Sequence, residues 1–139
     1  MIKEFRGKYR FLSNFWPAPV TFDGITYPSV EHYYQAMKTV HLPTRRLIAK
    51  MPKPGDAKRY AKKVQLRKNW DAIKVSVMEA GLRAKFSIPA LKHKLVATGS
   101  QTLQEGNLWH DRFWGVDLKT GKGLNTLGCL LMKIREEVR

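Results

Sequence analysis

Pro28-Ser29-Val30-Glu31-His32-Tyr33-Tyr34-Gln35-Ala36-Met37-Lys38 has the pattern of a helix start. Ser29 is a good N-cap, because its hydroxyl can accept from a free N–H of the first turn, and Pro28 punctuates the chain just before it. At 3.6 residues per turn, Glu31, Gln35 and Lys38 fall at i, i+4 and i+7 and line one stripe. Val30, Tyr33, Tyr34 and Met37 make a broad apolar face beside it. An acid, an amide and an amine at the shoulder of such a face can have their pKa values moved by desolvation, the acid up and the amine down. On spacing alone, the simpler reading is a Glu/Lys pair on a solvated helix.

Working outward, Val20-Thr21-Phe22 and Ile25-Thr26-Tyr27 flank Asp23-Gly24. That is a hairpin signal, since Asp-Gly supplies the positive φ angles of a type I′ turn. Before it lies an aromatic-rich stretch, Phe5 to Trp16. After it, the Ser29 helix is expected to reach about His41. Pro43-Thr44 restarts a helix through Met51, and Pro54-Gly55-Asp56 opens one through Val64. A longer helix is expected from Asn69 to Phe86, with Trp70, Ile73, Val77, Leu82 and Phe86 in its core. Another runs from Ile88 to Thr98, closed by Gly99. Thr102 to Glu105 reads as a short strand and Gly106 to Gly123 as loop. A last helix starts near Leu124, with Leu127, Leu131, Ile134 and Val138 at helical spacing. The expected class is α+β, predominantly α-helical, with an N-terminal β-hairpin.

A chain of 139 residues is long enough for one domain, 1-139, with a core that needs no staples. One cysteine, Cys129, excludes an internal disulfide framework and fits a reducing compartment. Its place in an apolar helical run predicts burial. The first residues show no signal-peptide pattern and no stretch has membrane-spanning character, so a soluble cytoplasmic protein with no membrane partner is expected. The charge is unusual: 26 Lys and Arg against 11 Asp and Glu, a formal +15. Ten of the basic residues, among them Arg45, Arg46, Lys62 and Lys63, fall between Thr44 and Lys68, where Asp56 is the single acid. Such a field draws polyanions, and nucleic acid or a phosphorylated small molecule fits better than lipid. The alternative is a solvated basic face that aids solubility.

Metal chemistry has no support, because His32, His41, His93 and His110 are scattered without ligand spacing. No metal or other cofactor is expected. Two aromatic clusters remain. Ser13-Asn14 sits between Phe11-Leu12 and Phe15-Trp16, where short polar side chains can bond a ligand while rings stack on it, or can simply form a turn. Gly106-Asn107-Leu108-Trp109-His110-Asp111-Arg112-Phe113-Trp114 is a glycine-bounded loop carrying aromatics, an amide and an acid. A core-anchoring loop with Asp111 as turn former accounts for it equally well. Gly121-Lys122-Gly123 before the last helix suits a phosphate, although a plain turn with Asn125 near the cap is the default.

Taken in order, these motifs resemble the NADAR (YbiA-like) family. The resemblance rests on Phe11-Leu12-Ser13-Asn14-Phe15, Tyr27-Pro28-Ser29-Val30-Glu31-His32 with Tyr34-Gln35-Ala36 and Lys38, Pro54-Gly55, Leu66-Arg67 with Trp70, Glu105-Gly106-Asn107 with Trp109, Trp114-Gly115, and Gly123 to Arg135. His110 stands where the family pattern expects glycine, which alters that loop. The resemblance implies a compact α-rich domain acting on ADP-ribose-like or ribosylamine substrates. Two activities follow from it: removal of ADP-ribose from guanine in DNA or RNA, and N-glycosidic cleavage of phosphorylated riboflavin-pathway ribosylamines. A non-catalytic ADP-ribose-binding module is the third reading. The excess positive charge favours the nucleic-acid substrate. In this scheme the catalytic residues are Lys38 as the nucleophile, Glu31 as the proton carrier, and Asp111, which holds the ribose hydroxyls or assists proton transfer. Trp70, Trp109 and Trp114 shape the site with Ser13, Phe15 and Gln35, and Asn14, Asn107 and Asn125 fix polar groups. Arg45, Arg46, Lys62 and Lys63 contact the nucleic acid.

Overall fold

The computed structural model describes residues 1–139, an α+β chain dominated by helices. Its contacts separate into two compact units: Met1–Ser13 with Phe86–Arg139, and Asn14–Lys85. No helix is long and apolar enough to cross a membrane.

The Asn14–Lys85 unit begins with the expected hairpin, β1 (Val20–Phe22) and β2 (Ile25–Tyr27), antiparallel with Val20 opposite Tyr27. Asp23 and Gly24 both take positive φ, +49° and +74°, as a type I′ turn requires. Ser29 caps α1 (Val30–Ala36) by accepting from the His32 N–H at 3.1 Å. Then follow α2 (Leu42–Ala49), α3 (Pro54–Ala61) and α4 (Trp70–Lys85). Helix α1 packs against α2, α3, α4 and β2, and all seven of its residues are buried. A helix walled on every side has no solvated stripe. Glu31, His32 and Gln35 are therefore interior groups, which overturns the solvated-pair reading.

Helix α1 ends at Ala36, a turn and a half short of expectation. The carbonyls just beyond its end are taken by the segment after α3: the Arg67 N–H donates to Lys38 O at 2.9 Å, and Arg67 Nη1 to Met37 O at 3.4 Å. Lys38 is thereby fixed on a turn beyond the helix, with its own N–H donating to Gln35 O at 3.3 Å. In α4 the buried positions are Trp70, Met78, Gly81, Leu82 and Lys85, while Ile73 and Val77 are only half-buried. The close approach at Gly81, where a Cβ would lie 2.6 Å from the Tyr33 ring, sets which stripe of α4 faces α1.

In the other unit a 3₁₀ segment, Gly7–Leu12, precedes α5 (Pro89–Ala97) and α6 (Thr126–Val138), which pack together. Gly99 closes α5 at φ +68°. The expected strand at Thr102–Glu105 is a single bridge from Leu103 to Ile2, and the region read as loop contains the short parallel pair β3 (Gly106–Asn107) and β4 (Val116–Asp117). Two-residue strands leave no periodicity to read. Cys129 is exposed, against expectation. The apolar run of α6 is buried at Leu127, Leu130, Leu131 and Ile134, and Cys129 falls on the opposite side of the helix.

Candidate active site

Within the Asn14–Lys85 unit, Glu31 is bonded both by the chain before the hairpin and by its own helix. The Glu31 N–H donates to Asn14 O at 3.1 Å, tying Asn14 to the first turn of α1. One turn on, Gln35 Nε2 donates to Glu31 Oε2 at 2.6 Å, a charge-assisted bond between two buried side chains. Lys38 follows, half-buried, with its Nζ 5.5 Å from the centre of the Tyr34 ring. Tyr34 in turn packs on Trp70, centroids 5.2 Å apart. Trp70 is 6% exposed, so it backs Tyr34 from within the core.

The electrostatics of Lys38 are those of an activated amine. Burial lowers its pKa below the ordinary lysine value; the Glu31 carboxylate opposes this, and the Lys58 and Lys74 ammonium groups push the same way as burial. A lower pKa leaves a larger neutral fraction, the form able to attack carbon. Tyr34 was read in the sequence as lying beside Lys38, whereas Arg67, Lys58 and Lys74 were missed as parts of this arrangement. Lys74 lies one turn beyond Trp70 on α4, and that i, i+4 spacing is the signal that could have found it.

His32 is fully accounted for by packing. The Ser29 hydroxyl lies 2.7 Å from Nδ1 and Met51 O lies 2.9 Å from Nε2. This is the pattern of a neutral ring that accepts at Nδ1 and donates at Nε2, and burial lowers its pKa accordingly. No three His, Cys, Asp or Glu side chains gather in a metal-binding group.

The aromatic loop belongs to the other unit, where most of its polar groups brace the chain. Asn107, 2% exposed, donates through Nδ2 to Glu105 Oε2 (3.1 Å) and Asp111 O (2.9 Å), and accepts from the Asp111 N–H (3.0 Å). Asp111 Oδ1 accepts from the N–H groups of Phe113 and Trp114 at 3.1 and 3.0 Å, the turn-former arrangement. Asn125, at φ +54°, accepts from the Glu105 N–H and donates to Leu103 O, both at 2.9 Å. Trp114 packs edge-on to Phe113, whereas Trp109 is 58% exposed. His110 takes the left-handed conformation at φ +65°, which explains why glycine suits its position. Its Nδ1 meets the buried Asp117 at 2.8 Å. Gly121 and Gly123 form a turn closed by the Asp117–Lys122 bridge. Ser13 is half-buried and Phe15 37% exposed.

Of the four basic residues expected to meet nucleic acid, Arg46, Lys62 and Lys63 are exposed. Arg45 is not available. It is 6% exposed, its Nε donates to Thr39 O at 2.8 Å, and its Nη1 pairs with Asp23 at 3.3 Å. Its position on α2 points it at the hairpin, which a count of charges along the chain does not reveal.

The NADAR domain model matches residues 2–139. The chain belongs to the NADAR family. It is 41% identical over 133 residues to the N-glycosidase YbiA of Escherichia coli, an alignment covering 94% of this chain and 82% of that protein. It is 39% identical over 132 residues to a riboflavin biosynthesis protein of Vibrio vulnificus, covering 93% of this chain and 35% of the relative. The NMR structure of E. coli YbiA superimposes with a TM-score of 0.84 at 37% identity, covering 99% of this chain and 86% of that one. This NADAR protein is therefore related to N-glycosidases across nearly its whole length.

Proposed function

We propose that this NADAR protein is a hydrolase that cleaves the bond between ribose C1′ and an exocyclic amine, with ADP-ribosylated guanine in nucleic acid as its substrate. The observation that carries the reading is the buried Glu31–Gln35 pair beside Lys38, an amine whose pKa is lowered chiefly by burial. The kinship with N-glycosidases supports the reaction class. The choice of nucleic acid rests on the +15 charge and on the exposed Arg46, Lys62 and Lys63.

The chemistry proceeds in balanced steps. Proton delivery to the ring oxygen opens the ribose and leaves an imine between C1′ and the base nitrogen. The neutral Lys38 amine adds to C1′. A proton passes from Lys38 to the base nitrogen, the C1′–N bond breaks, and the base departs as its free amine. The resulting Lys38 Schiff base adds water, releases the lysine and returns the sugar as an aldehyde that recloses. Glu31 carries the protons between these atoms, the role of a carboxylate whose charge acts on the amine. Direct water attack, with Glu31 as base and Lys38 as a clamp, is the simpler alternative.

A second reading, cleavage of phosphorylated riboflavin-pathway ribosylamines, is favoured by the similarity to a riboflavin biosynthesis protein. The deciding experiment incubates the protein separately with guanine-ADP-ribosylated DNA and with those ribosylamines and identifies products by mass. Borohydride added during turnover reduces the Schiff base and leaves the sugar attached to the Lys38 peptide. Lys38→Arg abolishes trapping and activity, because arginine stays protonated. Substantial activity in Lys38→Arg eliminates the covalent route, and sugar found on another lysine removes Lys38 from its role.

A further inference from the structure

Two buried acceptor atoms on residues hydrogen-bonded to Glu31 have no hydrogen-bond partner: Asn14 Oδ1 and Gln35 Oε1. Buried polar atoms are nearly always paired, and each exception calls for an explanation. Both belong to residues bound directly to Glu31, Asn14 through the main-chain bond and Gln35 through its side chain. Their chemical sense is set by the other end of each amide. Gln35 Nε2 lies 2.6 Å from a carboxylate oxygen, a contact that only an N–H donor makes with an ionised acid, so the free end is the carbonyl. Asn14 Nδ2 lies 3.4 Å from the Met78 sulfur, a weak acceptor, which again leaves the oxygen free. The residues around Glu31 thus carry two acceptors that need donors.

We infer that Asn14 Oδ1 and Gln35 Oε1 hold N–H donors of the leaving base, so that the site selects an amino-substituted heterocycle whose N–H edge adjoins the glycosidic nitrogen. This rests on the proposed cleavage at an exocyclic amine and adds the feature of the base that is read. A base offering a carbonyl or a methyl group at that edge leaves the two acceptors unpaired in a desolvated place, and the loss of one such bond weakens binding by roughly 10- to 100-fold. The same contact serves the reaction, because the Gln35 amide joins the donor edge of the base to the carboxylate that handles the proton.

The test compares the binding of guanosine, inosine, which lacks the 2-amino group, and 1-methylguanosine, which lacks the ring N–H. The wild-type protein, Asn14→Leu and Gln35→Met are titrated, with the side-chain amide signals of Asn14 and Gln35 followed by NMR. Guanosine is expected to bind the wild type about 10-fold or more tightly than inosine or 1-methylguanosine. Gln35→Met is expected to weaken guanosine alone, collapsing the ratios toward one. A purely steric penalty of the methyl group persists in that variant and overturns the inference, as do equal affinities in the wild type or the absence of any nucleoside binding. Turnover of the ADP-ribosylated substrate is measured in parallel. Turnover without donor selectivity overturns this inference alone, whereas donor-selective binding without turnover overturns the proposed function alone.

Discussion

Lys85 offers a test of what burial costs this protein. It is the last residue of α4, it is 0% exposed, and burial brings its pKa from 10.5 to about 7. The proposed chemistry makes no use of it. In the unfolded chain the ammonium holds its proton up to about pH 10.5, whereas in the folded protein it gives the proton up above about pH 7. Between those values the unfolded state binds more protons, so stability rises with pH. The burden is full below about pH 7 and gone above about pH 10.5. The difference of 3.5 units (10.5 − 7) corresponds to about 5 kcal/mol at 1.36 kcal/mol per unit. Over the window from pH 7.5 to 9.5 the expected gain is about 2–3 kcal/mol. Lys38, with its pKa lowered, adds in the same direction. Tyr27 and Tyr33, both raised by burial, act with opposite sign only at higher pH. Urea denaturation at pH 7.5, 8.5 and 9.5 reads this slope. Lys85→Met keeps the length and removes the titration. Repacking around the new thioether shifts the whole curve vertically and leaves the slope to report the pKa. The expected result is a curve flattened by most of that gain, and wild-type and Lys85→Met curves that run parallel would refute the reasoning.

Glu31→Gln keeps volume and removes the titratable carboxylate, so the fold should survive while turnover falls about 10²- to 10⁴-fold; near-wild-type turnover in a folded variant would return Glu31 to a structural role. Gly81→Ala gains about 1 kcal/mol of helix propensity. Its Cβ, however, lands 2.6 and 2.7 Å from two carbons of the Tyr33 ring, whose hydroxyl is held by Val77 O at 2.9 Å. Overpacking of about 1–3 kcal/mol should win, and a rise in the urea midpoint would contradict it. Joint replacement of Arg46, Lys62 and Lys63 by alanine should lower the salt slope of DNA binding by about 0.7 to 0.9 for each phosphate no longer neutralised. An unchanged slope would mean that α2 and the end of α3 do not face the nucleic acid.

The sequence by itself determined what local rules govern. Asp23-Gly24 specified the turn, Ser29 the start of α1, Gly99 the end of α5, and the leucine spacing of α6 its buried side, because each depends on φ angles, capping or periodicity within a few residues. The ordered motifs carried the family. Tertiary structure alone decided the environment of those residues. The Glu31 stripe read most simply as solvated because spacing does not tell how many neighbours a helix has, and α1 proved to be walled by α2, α3, α4 and the hairpin. Arg45 read as a free cation until α2 turned it onto Asp23 and Thr39. Asn107 and Asn125 read as ligand-binding amides, yet their bonds go to Glu105, Asp111 and Leu103. The orphaned oxygens of Asn14 and Gln35 left no trace in the sequence, since an unpaired acceptor is defined by which atoms come near it, and that is settled only when distant segments pack.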